Sequence, residues 1–173
     1  MNIDAEDIMI SDMEDDIRMA APHRELDFLQ TVETRLVQPY TAFAAYRRMT
    51  GRPPMWLAKL FKISNTIYRP FDKERVDSFG APLPIDPQEG DMLHFFTIDE
   101  ISDNRLVLTA EDSRMNVMTD IRIENEGKTL SLTTSIKAFN LSGKIHMIPI
   151  SLMHENVVKS LFRNLRPPKK AAD

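Results

Sequence analysis

Asn116-Val-Met-Thr-Asp-Ile-Arg-Ile-Glu-Asn-Glu-Gly-Lys-Thr-Leu-Ser-Leu-Thr-Thr-Ser-Ile-Lys-Ala-Phe139 changes character at every second residue on both sides of a glycine-containing turn. Side chains on a strand alternate between faces. Val117, Thr119, Ile121 and Ile123 therefore share one face, with Met118, Asp120, Arg122 and Glu124 on the other. After the turn, Leu130, Leu132, Thr134, Ile136 and Ala138 form a second apolar row. Asn125-Glu-Gly-Lys supplies the residues that tolerate positive φ, so the two rows form a hairpin. One apolar and one polar face predict an antiparallel sheet with one side solvated.

The period of two extends upstream. Leu93–Ile101 reads as one strand, Ser102-Asp-Asn as a turn and Arg105–Glu111 as the next strand. Downstream, Asn140-Leu-Ser-Gly-Lys reads as a turn and Ile145–Ile148 as a short last strand. Nearer the N-terminus, Leu26, Phe28, Gln30 and Val32 alternate within a first strand over 25–34. Gln38-Pro39 opens a helix that runs to about Met49, with Tyr40, Phe43, Ala44 and Arg47 at helical spacing. Pro53-Pro54 breaks the chain. Trp56, Leu60, Ile63 and Ile67 then mark one face of a second helix over 55–69. Pro70-Phe71 and Gly80–Pro87 read as an ordered loop or lid. A terminal helix is expected over 151–166, with Ser151 as its N-cap. A strand, two helices, antiparallel strands and a long last helix give the α+β class. Residues 1–22 read as a flexible acidic arm carrying the apolar trio Ile8-Met-Ile, 23–166 as one domain and 167–173 as a tail.

Composition narrows the function classes. The 173-residue chain carries a formal charge of −4 and no basic stripe with interleaved aromatics, which argues against nucleic-acid binding. Cysteine is absent, which excludes disulfides, zinc–thiolate sites and cysteine nucleophiles. No basic, apolar leader opens the sequence and no run approaches a membrane span, so a cytoplasmic bacterial protein is the expectation. Eleven methionines suit an adaptable interior.

On a wheel of the terminal helix, Val157, Val158, Leu161 and Leu165 cluster opposite Lys159, Arg163 and Arg166. His154 falls inside the apolar cluster and points inward. It is either a core histidine or the polar anchor of an apolar cavity. A metal site is not expected, because Val158 stands where an H-E-x-x-H pattern needs its second histidine.

Gly90-Asp91, Glu111-Asp-Ser-Arg-Met-Asn-Val, Leu130-Ser-Leu-Thr-Thr-Ser, Ser142-Gly-Lys, His154-Glu-Asn-Val-Val-Lys-Ser-Leu and Pro54-Met-Trp-Leu together resemble a bacterial family of unknown function. That family is placed near the START-like, polyketide-cyclase (SRPBCC) superfamily. The resemblance implies a helix-grip fold, in which a curved antiparallel sheet wraps a long C-terminal helix over a cavity that two short helices close. The chain departs from the pattern at Arg114 and Asn116, where the family often has histidine and aspartate. It departs again at Leu152 and Met153, which replace a proline and an aromatic. Asn116 cannot serve as a base and Arg114 stays protonated.

Three functions follow as expectations. The first is binding of a small apolar molecule between sheet and helix, lined by Trp56, Leu60, Val117, Thr119, Leu132, Thr134, Val158 and Leu161, with His154 as the polar group and no cofactor. The second is a cyclase, dehydratase or isomerase with His154 as acid or base, and Thr119, Thr134 or Tyr68 orienting the substrate. The third is an accessory partner of an oxidoreductase, since related domains resemble appendages to nucleotide-dependent reductases. No G-x-G-x-x-G loop is present in this chain. A homodimer is a candidate assembly.

Overall fold

The computed structural model describes residues 17–53, 55 and 82–166. Six strands form one sheet: β1 (Phe28–Arg35), β2 (Met92–Leu93), β3 (Phe96–Ile101), β4 (Arg105–Glu111), β5 (Met115–Glu124) and β6 (Thr129–Ala138). Their order is β1-β6-β5-β4-β3-β2, and every neighbouring pair is antiparallel. Two α-helices are described, α1 (Ala42–Thr50) and α2 (Leu141–Phe162). The mixed α+β class and the antiparallel sheet agree with the periodicity. The second expected helix lies outside the described residues, apart from Met55.

The β5–β6 hairpin forms at the expected register, with Val117 opposite Ile136, Thr119 opposite Thr134 and Ile121 opposite Leu132. Asn125, Glu126 and Gly127 all take positive φ in its turn, which explains the Asn-x-Gly chemistry there. The inner face of the sheet carries Val32, Leu132, Ile121 and Leu106 in one row, all buried. Helix α2 packs on β1 and β6, and α1 packs on β4 and β5.

Several expectations are corrected. The Leu93–Ile101 stretch is not one strand. It folds back at His94-Phe95, giving β2 and β3. His94 takes φ 60°, which histidine tolerates better than a branched residue. Its Nδ1 lies 2.9 Å from the Tyr46 hydroxyl, inside the core. Helix α1 starts at Ala42, because Thr41 caps it by accepting from the Ala44 N–H. Its buried face is Ala42, Ala45, Tyr46 and Met49, rather than the Tyr40, Phe43, Ala44 and Arg47 set.

The largest correction concerns α2. Residues 145–148 form no strand, and Ser151 is interior to the helix. The cap is Asn140, whose side chain accepts from the Gly143 N–H at 3.0 Å. The helix then runs through Pro149, which supplies no N–H to the Ile145 carbonyl. Gly143 sits against the β4–β5 turn, where an added Cβ would collide with the Arg114 carbonyl oxygen.

The outer face is less solvated than its alternation suggested. Residues 17–22 lie along it: the Arg18 N–H donates to Asp120 Oδ2 at 2.9 Å, and the Ala20 N–H donates to Ser135 Oγ at 2.9 Å. The Asp120 side chain is 0% exposed and is clamped by Arg105 at 2.8 Å and Arg122 at 3.0 Å. Val107, its neighbour on β4, is buried as well.

Candidate functional site

A polar row crosses the middle of the otherwise aliphatic inner face. Gln30 on β1 stands opposite Thr134 on β6, which stands opposite Thr119 on β5. The two threonine hydroxyls are buried and 3.4 Å apart, a weak mutual hydrogen bond. The next position in the row, Leu108 on β4, is fully buried and apolar.

His154 on α2 completes the row from above. Its Nδ1 donates to Gln30 Oε1 at 2.7 Å, and its ring meets Phe28 edge-on with centroids 5.3 Å apart. With the proton held on Nδ1, Nε2 carries the lone pair. Burial removes water from the imidazole and lowers its pKa to about 4; Glu155, one residue on, opposes this only partly. Glu155 itself is exposed and paired with Lys159. His154 is therefore neutral at physiological pH.

Of the residues expected to line the site, Thr119, Thr134 and His154 belong to this polar row. Leu132, Val158 and Leu161 are buried in the hydrophobic core that adjoins it. Val117 is half-buried, one row further along the sheet beside Ile136 and Phe28. Trp56, Leu60 and Tyr68 lie outside the described residues. Gln30 and Phe28 were missed as site residues. The signal for Gln30 was present, because it is a polar side chain at an inward position of an alternating strand.

Asp112, Arg114 and Asn116, where the chain departs from the resembled family, sit away from this row. Asp112 accepts from the Arg114 and Met115 N–H groups and pairs with the Arg114 guanidinium at 2.6 Å. Burial pushes its pKa up, but these hydrogen bonds and the guanidinium outweigh that and lower it. The Arg114 carbonyl accepts from the Phe139 N–H and the Ser113 carbonyl from Asn140 Nδ2, so this turn anchors the start of α2.

Two shallow depressions lie elsewhere. One is between the α1 entrance and the β5–β6 turn, lined by Tyr40, Thr41, Asn104, Glu124 and Gly127 among others. The other lies over Arg105 and Arg122. Among the described residues no group of three histidine, aspartate or glutamate side chains could hold a metal ion, and no helix is long and apolar enough to cross a membrane.

The family model described as "Protein of unknown function (DUF2867)" matches residues 23–161. The chain belongs to this family. No curated protein matches it. The DUF2867 match takes in the whole sheet and nearly all of α2, and so contains Gln30, Thr119, Thr134 and His154.

Proposed function

We propose that this DUF2867 protein is a START-like, helix-grip module that holds one small, largely apolar molecule between the inner sheet face and α2. The observation that carries the reading is the polar row. Three uncharged polar side chains from three adjacent strands line up across an aliphatic face, and a neutral imidazole from the helix closes one end. Apolar ligand sites use a few placed polar groups of this kind to orient the ligand, with aliphatic walls supplying most of the affinity. The weak Thr119–Thr134 contact leaves both hydroxyls with capacity to bond a ligand oxygen.

Binding fits the site better than catalysis. An acid catalyst at neutral pH must keep a proton, and burial holds His154 deprotonated down to about pH 4. As a base it would need a group to stabilise the imidazolium. Its Nδ1 partner is the uncharged Gln30 amide, and the adjacent carboxylate, Glu155, is already engaged by Lys159.

Titration with an environment-sensitive apolar dye, followed by displacement with medium-chain alkanes, ketones and alcohols, tests the reading. Saturable one-to-one dye binding is expected, with ketones and alcohols displacing it better than alkanes of equal length. Gln30→Leu should erase that preference while leaving dye binding intact. Absence of saturable dye binding by the folded protein overturns the proposal.

A further inference from the structure

Leu141, Ile145, Ile148 and Leu152 on α2 are 74%, 58%, 54% and 75% exposed. They recur in steps of four, three and four residues. At 100° per residue they fall within about 60° of one another, on the side of the helix opposite Gly143, His154, Val158 and Leu161. From Glu155 onward this same side turns charged, with Glu155, Lys159 and Arg163. The exposed apolar stripe is thus confined to the first three turns of the helix.

We infer that this stripe is a self-association surface, on which α2 of a second copy lies antiparallel about a two-fold axis between Ile145 and Ile148. The four residues read Leu, Ile, Ile, Leu, and both their order and their spacing are the same from either end. A two-fold axis therefore brings Leu141 against Leu152 of the second copy and Ile145 against Ile148, as an isologous contact requires. The four-three spacing is that of a two-stranded helical seam. The flanking positions raise no charge conflict: Ser142 comes opposite Ser151, and Lys144 comes opposite Pro149. Lys144 is also neutralised within its own chain by Asp27 at 3.3 Å. The four side chains of the stripe offer on the order of 500 Å² of apolar surface per copy. That is near the upper end for a monomer's largest patch and, with its polar rim, approaches the roughly 800 Å² per partner of a standard interface. This inference does not depend on the ligand-binding proposal.

Sedimentation equilibrium of the full chain over a concentration series tests it, with far-UV circular dichroism to confirm that each variant is folded. The wild-type chain is expected to dimerise. Ile145→Glu with Ile148→Glu places like charges face to face and should weaken self-association by roughly 100-fold or more. Ile145→Lys with Ile148→Glu should recover much of that loss, because only the antiparallel arrangement sets the introduced lysine against the introduced glutamate of the other copy. A chain that stays monomeric at every concentration, as it would if its own Ile8–Ile10 segment covered the stripe, overturns the inference. So does a dimer indifferent to the first pair of substitutions, or a folded charge-swapped pair with no recovery.

Discussion

The imidazole of His154 is neutral because burial strips its water, and that has a consequence for stability that needs no ligand. Its pKa is about 4 in the fold, against 6.5 for an unconstrained histidine. The unfolded chain therefore takes up a proton that the folded chain refuses. The contribution of the neutral buried form is fully present above pH 6.5 and is lost as the pH falls towards 4, amounting to roughly 3 kcal/mol across that window. His154→Gln should remove this pH dependence, flattening the urea midpoint between pH 6.5 and 4 relative to the wild-type curve. An unchanged slope would show that other groups carry it. Gly143 makes a second case at this scale. Its role is space: the Arg114 carbonyl lies where a β-carbon would go, and backbone cannot yield as a flexible side chain can. Gly143→Ala should cost about 2 kcal/mol or more despite alanine's better helix propensity, read by thermal unfolding. The glycine was visible in the sequence but its close neighbour was not, since residues 114 and 143 meet only through folding.

At the scale of elements, what was legible depended on whether a single local signal governed the segment. Strands β4, β5 and β6 carry an unopposed period of two and turn residues at both ends, and they form at the expected places. Helix α2 carried conflicting signals. Asn140-Leu-Ser-Gly serves equally as a turn or as a helix cap, and Pro149 is a helix breaker by rule. The Asn140 cap and the packing of the later turns on β1 and β6 together override the proline. The hairpin at His94-Phe95 was hidden because a bulky aromatic pair gives no turn signature. Asp120 looked like one more solvent-facing residue of an alternating strand, yet it holds the outer face together, accepting from Arg105, Arg122 and the Arg18 backbone. Asp120→Asn keeps the shape and removes the fully buried charge that both guanidinium groups share, while Arg105 keeps its ion pair with the half-buried Glu100 carboxylate at 3.5 Å. We expect a loss of about 3 kcal/mol in denaturant unfolding, with faster amide exchange at Arg18 as residues 17–22 lose their acceptor. A change within about 0.5 kcal/mol, the range of ordinary surface substitutions, would show that the arginines find other partners.

For the molecule as a whole, the defining contact is the one that sequence reading could not supply: the first strand, β1, pairs with the last, β6. Nothing local in residues 28–35 points to residues 129–136, so the α+β class could be read from the sequence but the strand order could not. That pairing also assembles the candidate site. Gln30 comes from the first strand, Thr119 and Thr134 from the central hairpin and His154 from the final helix, so the polar row exists only in the completed fold. A row retained for function should be dispensable for stability, and this can be tested directly. Thr119→Val with Thr134→Val replaces both hydroxyls by methyls of similar shape, and removing both partners of a weak buried hydrogen bond is close to neutral or stabilising. We expect the doubly substituted chain to unfold within about 1 kcal/mol of the wild type, or above it. It should still bind an apolar dye but lose roughly 10-fold in affinity for alcohols and ketones, equivalent to about 1.4 kcal/mol. If instead stability falls by more than about 2 kcal/mol with no change in ligand preference, the row is a structural hydrogen-bond network and the ligand must be sought elsewhere on the molecule.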